Sequence, residues 1–388
     1  MCIECQYNSA HQHGGTTLSE HREEHGVTDE PDQGPQEAPD GAVLDVFLSG
    51  PLFLDVVFSG LPTPPRPGTE VWASGMGSLP GGIANLAVAA SRLGLATGLA
   101  TGFGGDVYGR WCWDILADEA IDLSYSARLA NQHTSVTVSL AYAGDRSMIT
   151  HGHDLPMSYD ELIGEPPATR AVILDLDDER AEERWWRAAA AAGAKVFADL
   201  GWDPSETWDA SRLSALEDCY AFLPNAGEAM AYTRTDSPRA AARALAERVP
   251  LVVVTMGPDG ALAIDSATGE ERHVPALPVE AIDPTGAGDV FLAAFARASL
   301  AEWPLEQRLR FAALCAGLAV QEFGGSLAAP GFGDLHDWWQ RLVAARDAGD
   351  PSAAELHEHY RFLPDVLPAR PGRVTRRAEA TFALESDL

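Results

Sequence analysis

The stretch DPTGAGDVFLAA at residues 283–294 decides the fold class of this chain. A turn built from Gly and Pro leads directly into an apolar, Ala-rich segment that is long enough for a helix, so Gly286, Ala287 and Gly288 are predicted at a helix N-terminus. Backbone N–H groups there have no partner inside the helix, and the helix dipole adds partial positive charge. The sequence therefore predicts an anion site at this turn.

Asp289 is the unusual member of this stretch. A carboxylate beside an anion site would repel the bound anion, so its presence there suggests a chemical role. Accepting a proton from a hydroxyl that attacks phosphorus is a role that fits. The alternative is an ordinary strand-to-helix turn with Asp289 as a first-turn acid, and a motif this short does not separate the two.

Composition limits the classes of function. The chain has 388 residues, 46% hydrophobic, enough for one large α/β domain or two ordinary ones. A formal net charge of −30 argues against nucleic acid or anionic membrane as partners. We find no membrane-spanning run and no signal peptide, and the five scattered cysteines suit a reducing compartment, so a cytoplasmic protein is expected. A metal site at Cys2-x-x-Cys5 is disfavoured, since a second Cys pair is lacking.

The chain divides into three parts by composition. Residues 1–40 are predicted to be a flexible acidic extension, 41–348 the folded domain, and 349–388 a C-terminal tail. From residue 171 onward, strand and helix patterns alternate, which predicts a parallel sheet with right-handed crossovers.

Three further motifs carry polar groups. Gly81 and Gly82 precede an Ala-rich helix whose first turn contains Asn85, either a cap or a ligand contact. Asn225 and Glu228 are three apart, and are either a capping pair or, through oxygen ligands, a Mg2+ site. A Thr-x-Gly-x-x-Gly run at 255–260 follows an apolar strand.

These motifs, in this order, resemble the ribokinase-like (PfkB) carbohydrate kinases over about residues 41–339. The resemblance implies an α/β fold: a three-layer α/β/α sandwich with a mainly parallel central sheet and a small β-sheet lid from about 59–75 and 133–150. It also implies ATP-dependent phosphorylation of a hydroxyl on a sugar or a sugar-derived small molecule.

The resemblance assigns roles residue by residue. Asp289 is the expected catalytic base, and the anion hole comprises Gly286, Ala287 and Gly288. Asp55, just past the C-terminal end of the first predicted strand at residues 42–49, is an expected substrate-binding residue, together with Gly82 and Asn85. The expected nucleotide-binding residues are Thr255, Gly257, Gly260 and Thr285. Asn225 and Glu228 are expected to position Mg2+, and residues 324–326 to hold a monovalent cation such as K+.

Alternatives stay open at this point. The stretch Asp199–Asp203 resembles a family loop that contacts substrate and phosphate, but Gly201 and Asp203 stand where the family commonly has Asn and Arg. Ala313 stands where many members have Asn. The acceptor can be a nucleoside instead of a sugar, or the chain can be a non-catalytic binding homologue. A homodimer through the lid is expected by resemblance. A dinucleotide dehydrogenase is disfavoured, because no Gly-x-Gly-x-x-Gly follows the first strand.

Overall fold

The computed structural model describes residues 43–142, 145–176, 182–200, 206–322 and 324–369, all within the compact unit Glu37–Leu388. Its central sheet has, from edge to edge, the strands β14 (Glu270–Val274), β13 (Ala261–Asp265), β12 (Leu251–Thr255), β11 (Ala221–Phe222), β10 (Lys195–Asp199), β9 (Thr169–Asp175), β1 (Leu44–Ser49) and β4 (Thr97–Ala100). Neighbours from β4 to β12 pair in parallel, and β13 and β14 are antiparallel. The predicted mainly parallel sheet is confirmed.

Helices cover both faces of this sheet because its strands are apolar on both sides. On β1, Val46 and Leu48 face one core, whereas Phe47 faces the other. The first core is closed by α1 (Ile83–Arg92), α2 (Val107–Asp118), α7 (Ala287–Leu300), α8 (Leu305–Ala319) and α10 (Phe332–Asp347). The second is closed by α3 (Tyr159–Ile163), α4 (Trp185–Ala191), α5 (Ala226–Thr233) and α6 (Pro238–Leu245). The predicted three-layer sandwich is therefore also confirmed.

A smaller sheet forms the lid. Its strand order is β3 (Gly75–Gly82), β2 (Leu52–Ser59), β7 (Ser135–Tyr142) and β8 (Asp145–His151). A separate ribbon pairs β5 (Gly102–Gly104) with β6 (Ala127–Leu129). The inner face of the lid is the one on which Val57 and Leu79 are buried against Leu327, which lies in the short helix α9 (Gly325–Ala328).

The lid strands differ in position from the prediction. The stretch predicted at about 59–75 is mainly the connection between β2 and β3, and the strands themselves lie on either side of it. This connection contains Pro62, Pro64, Pro65 and Pro67, which cannot donate to a β-ladder. The second predicted stretch, 133–150, contains the β7–β8 hairpin.

The segment predicted as a C-terminal tail forms helices over its first part. Helices α11 (Pro351–Tyr360) and α12 (Leu363–Val366) follow α10, and Ala353, Tyr360 and Leu363 are buried in the first core. Residues 349–369 thus contribute to the packed domain. The predicted acidic extension, with Cys2 and Cys5, and residues 370–388 lie outside the described residues.

No helix in the described ranges is long and apolar enough to cross a membrane. Cys112, Cys219 and Cys315 are buried free thiols, and burial raises the pKa of Cys112 and Cys219 to about 12.

Candidate active site

The glycine turn is held from within by Asp283. This buried carboxylate accepts hydrogen bonds from the backbone N–H of Thr285 through Oδ1 (2.9 Å) and of Gly324 through Oδ2 (3.2 Å). Asp283 therefore ties the turn before α7 to the loop before α9. The sequence showed Asp283 only as a member of the motif and did not predict that it links these two segments.

Gly286 is the N-cap of α7, with a φ of +75° that favours glycine. A Cβ at this position would lie 3.1 Å from the Cα of Gly325, so space also limits the residue. The N–H of Ala287 donates to the carbonyl of Pro284 (3.2 Å), so this member of the predicted anion hole is engaged within the turn. Gly288 faces open space, and the first-turn N–H groups of α7 point away from the helix.

Asp289 and Asn85 are brought together by the fold. Asn85 lies on α1 and donates from Nδ2 to Oδ2 of Asp289 across 3.0 Å. The Oδ1 atom of Asn85 is buried without a hydrogen-bond partner, and a Cβ on Gly325 would lie 2.8 Å from it. The predicted base and one predicted substrate-binding residue are thus in direct contact beside the glycine turn.

Asp55 has a different setting from the predicted one. The sequence placed it just past the first strand, whereas it lies inside β2, on the inner face of the lid. The Cα of Gly81 lies so close that a Cβ there would approach Oδ2 of Asp55 to 1.9 Å. Gly82 follows as the N-cap of α1 with a φ of +63°. The chain from β3 into α1 therefore runs directly past the Asp55 carboxylate.

The predicted nucleotide-binding residues cluster beyond β12. Thr255 pairs with Asn225 in a parallel bridge, and its N–H donates to the carbonyl of Pro224 (3.1 Å). Gly257 is exposed with a φ of +56°, and Gly260 is buried with a φ of +88°. Asn225, which is predicted to position the metal, and Thr255, which is predicted to bind the nucleotide, are therefore neighbours in the sheet.

Asn225 and Glu228 form a complete capping box at the start of α5. Oδ1 of Asn225 accepts from the N–H of Glu228, and Oε2 of Glu228 accepts from the N–H of Asn225, both at 3.0 Å. Burial raises the pKa of Glu228, and these hydrogen bonds oppose the rise. The capping interpretation is confirmed, and a Mg2+ role stays compatible with it through Oε1.

Two further carboxylates lie at the same edge of the sheet. Asp175 and Asp199 end the adjacent strands β9 and β10 and are paired in register. Loss of hydration, together with repulsion from Glu228, Asp175 and Asp289, raises the pKa of Asp199 well above its usual range. Sequence reasoning noted Asp199 but assigned Asp175 nothing. The available signal was that both residues end buried parallel strands, where such sheets bind ligands.

Part of the predicted substrate loop, including Gly201 and Asp203, lies outside the described residues. Among the described residues, no group of three or more His, Cys, Asp or Glu is arranged to hold a metal by itself.

Arg92 is a buried residue that sequence reasoning missed. Its guanidinium pairs with both carboxylate oxygens of Glu119 (2.6 and 3.0 Å) and donates to the carbonyls of Leu327 (2.9 Å) and Ala329 (2.7 Å). It therefore ties α1, which carries Asn85, to the segment around α9. An Arg in a helix that closes on Leu-Gly gave no sign of this burial.

A cavity of about 700 Å3 opens beside the base of the lid. Its walls come from the start of β2, the β4–β5 connection, the residues before β7 and those after β8. Neither Asn85 nor Asp289 lines it.

A glycine turn at a helix N-terminus, with a carboxylate in the first helical turn, is an arrangement suited to phosphoryl transfer. Comparisons with known proteins agree. The family model described as pfkB family carbohydrate kinase matches residues 65–330. The chain belongs to the pfkB carbohydrate kinase family, and it is a phosphotransferase with an alcohol group as acceptor.

Its relatives include both sugar and nucleoside kinases. A fructokinase of Klebsiella pneumoniae is 34% identical over 272 residues, covering 64% of this chain and 85% of the fructokinase. A nucleoside kinase of Methanothermobacter thermautotrophicus is 31% identical over 279 residues, covering 70% and 87%.

Solved structures share the fold. The Arabidopsis thaliana ribokinase complexed with ribose and ATP superposes with a TM-score of 0.64 at 25% identity, covering 76% of this chain and 98% of that one. An E. coli protein assigned as a ribokinase II, in complex with ATP and Mg2+, gives a TM-score of 0.65 at 21% identity, covering 77% and 100%. These neighbours confirm the predicted ribokinase-like fold.

Proposed function

We propose that this protein transfers the γ-phosphate of ATP to a hydroxyl of a sugar or sugar-derived molecule, with Asp289 as the catalytic base. The observation that carries the proposal is the 3.0 Å hydrogen bond between Asn85 and Asp289 at the N-terminus of α7. A carboxylate held there lies in the first turn of α7, directly after the predicted anion hole. It can accept the proton of a hydroxyl as that hydroxyl attacks the γ-phosphorus.

The transferred phosphoryl group would be stabilised at the glycine turn. Gly286 and Gly288 allow close approach of backbone, and first-turn N–H groups are suited to developing negative charge. The hydrogen bond from Ala287 to Pro284 shapes the turn. We therefore assign the anion contacts to the turn as a unit.

Acceptor binding is proposed for Asp55, Gly82 and Asn85. Asp55 lies on the inner face of the lid, and Gly81, which its carboxylate touches, leads through Gly82 into α1 and Asn85. Paired carboxylate and amide oxygens suit a polyol, because a site built on such hydrogen bonds rejects analogues without the hydroxyl.

The nucleotide and metal roles are assigned to the C-terminal ends of β11 and β12. We assign the nucleotide to the segment with Thr255, Gly257 and Gly260, and to Thr285 in the turn. Mg2+ would be placed by Asn225 and Glu228, beside the carboxylates of Asp175 and Asp199. When bound, Mg2+ neutralises polyphosphate charge. A K+ site at residues 324–326 and a cytoplasmic location stay predictions.

A homodimer through the lid is part of the proposal. Strand register places one row of apolar side chains on the outer face of the lid, opposite Asp55. This row comprises Val56, Phe58, Met76, Val138, Leu140 and Ile149. Met76 is 43% exposed and Ile149 is 66% exposed, so a second copy of the sheet would cover them.

Small molecules are the expected substrates, and the charge of −30 disfavours nucleic acid and anionic membranes.

The test is ADP release from ATP and Mg2+ in the presence of a panel of sugars and nucleosides. Acceptor-dependent release that is lost in Asp289→Asn supports the proposal. Asp118→Asn, which changes an exposed acid at the end of α2, is the matched control and should behave as wild type. Near-wild-type turnover in Asp289→Asn contradicts the assigned base. Acceptor or ATP binding without ADP release would favour a non-catalytic homologue.

A further inference from the structure

The cavity beside the lid continues the inner face that carries Asp55. Strand pairing sets Asp55 opposite Thr137, and the next row on the same face is Phe53 opposite Ser135. Phe53 and Ser135 both line the cavity. Successive rows on one face are about 6.8 Å apart along the strand, so the cavity begins one row from the proposed acceptor contact.

The volume exceeds what a sugar held at Asp55 would use. At about 700 Å3, the cavity falls in the range of sites for ligands larger than a single sugar ring. Asp55, Asn85 and Asp289 are not among the residues that line it. A monosaccharide held by those three residues would therefore leave this volume to water.

The walls suit a flat, uncharged group. Apolar and aromatic surface comes from Phe53, Met157 and Tyr159. Two imidazoles, His133 and His153, lie on the wall with ring centroids 6.0 Å apart and planes tilted by 55°. Rings of this kind stack on planar ligands, and the imidazole nitrogens offer hydrogen bonds to polar edges.

Charge disfavours an anionic ligand. Among the described residues that line the cavity there is no Lys or Arg, whereas Asp154 and Glu183 are acidic. Glu183 is held by Trp185, whose Nε1 donates to its Oε2 across 2.8 Å. A carboxylate or phosphate on the ligand would meet these acids with no such cation beside it, in a chain of net charge −30.

We propose that this cavity holds an uncharged ring attached to the sugar, so that the acceptor is a nucleoside or a similar ring-bearing glycoside. The inference rests on the proposed function, because it places the sugar at Asp55 and Asn85 and the hydroxyl to be phosphorylated at Asp289. Free monosaccharides fill only part of the combined site, and sugar phosphates and sugar acids are rejected.

The experiment combines binding and turnover on the full-length protein. Calorimetry without ATP compares adenosine, inosine and uridine with ribose, fructose, phenyl riboside and ribose 5-phosphate. ADP release is then measured for each. We expect at least one nucleoside to bind about tenfold more tightly than ribose, which corresponds to roughly 1.4 kcal/mol. Ribose 5-phosphate should bind more weakly than ribose.

A variant of the wall separates the cavity from the rest of the site. His153→Ala removes an exposed ring and should lower the nucleoside-to-ribose ratio of kcat/KM by about three- to tenfold, the range of one aromatic contact. His336→Ala, on α10 and away from the cavity lining, is the matched control and should leave the ratio unchanged.

The outcomes distinguish the ring subsite from the proposed function. Turnover of phenyl riboside but of no nucleoside supports the ring subsite and identifies an aryl glycoside as its ligand. Turnover of ribose or fructose with no preference for ring-bearing acceptors, and no change in His153→Ala, overturns the inference and leaves the proposed function standing. Nucleoside binding without ADP release keeps the subsite and overturns the proposed function. No binding and no release overturns both.

Discussion

Asn85 and Asp289 are 204 residues apart in the chain, yet the side-chain amide of the first donates to the carboxylate of the second at 3.0 Å. The contact joins α1, which leaves the lid, to α7, which starts at the glycine turn. It therefore sets the direction of the proposed base with respect to both the acceptor and the phosphate.

Asn85→Ala should reduce kcat more than it raises KM for ATP. A hydrogen bond to a charged group contributes about 1.5–3 kcal/mol, so we expect a loss of about ten- to a hundredfold in kcat. The acid limb of the kcat–pH profile should move to higher pH, since the ionised carboxylate loses a donor. Gln340→Ala, an exposed amide on α10, is the control. A variant with reduced kcat but an unshifted profile would mean that Asn85 does not act through Asp289.

The stability of the protein should depend on pH through Asp199. Its raised pKa means that the folded state keeps a proton which the unfolded chain releases, so the free energy of unfolding falls as pH rises from the ordinary Asp range through the raised value. Asp199→Asn keeps the acceptor for the Leu200 N–H and removes the charge. Urea unfolding at pH 5 and pH 8 should show a smaller pH dependence in this variant than in wild type or in Asp118→Asn. An equal dependence in all three proteins would contradict the raised pKa.

Mg2+ with a nucleotide should stabilise the wild-type protein more at pH 8 than at pH 5. The carboxyl groups of Glu228 and Asp199, whose pKa values are raised, are less protonated at the higher pH. They therefore attract a cation more strongly at pH 8 than at pH 5. Thermal unfolding with and without MgATP measures this effect. A stabilisation that is larger at pH 5 would argue against a cation at this edge of the sheet.

Two glycines near β13 make a matched pair. Gly260 has a φ of +88°, and a Cβ there would lie 2.0 Å from the carbonyl oxygen of Val274; Gly269 has a φ of +74° and open space around it. Gly269→Ala should cost about 1–2 kcal/mol from backbone strain alone. Gly260→Ala should destabilise more, because backbone must also move, and the nucleotide KM should rise with it. Equal costs in urea unfolding would mean that the β12–β13 turn relaxes easily.

The outer face of the lid should mediate self-association. Replacing Met76 and Ile149 together by Glu would place two charges among the apolar side chains of that face. Light scattering should show a dimer for wild type and a monomer for this variant. Val107→Glu changes an apolar residue of α2 that is 61% exposed and should not alter the mass. A monomeric wild type would contradict the proposed dimer.

Sequence reasoning identified the layers and the glycine turn because these depend on local patterns. Apolar strands alternating with helices specify a parallel sheet, and Gly286 reflects a backbone conformation that few other residues adopt. The contact between Asn85 and Asp289 depends on how distant segments pack. Its two members were identified through motifs, but their hydrogen bond was not.

Other features were missed for identifiable reasons. Asp55 was placed after a strand because Gly50-Pro51 ends β1, and no pattern showed that β2 begins at once. The helices after residue 349 were overlooked because Pro, Arg and acidic residues are scattered through that segment, although Ala353 and Tyr360 stand at i and i+7 on one face of α11. The burial of Arg92 depends on its partner Glu119 and on carbonyls more than 200 residues away.

Arg92 has a consequence for movement of the site. One guanidinium fastens the C-terminal end of α1 to the segment around α9, and that segment in turn touches Gly286 and Asn85. The proposed base Asp289, its partner Asn85 and the glycine turn are thus linked through the same segment. If the lid opens and closes over substrate, the packing of Val57 and Leu79 against Leu327 must break, whereas the Arg92 contacts would still hold α1 against the α9 segment.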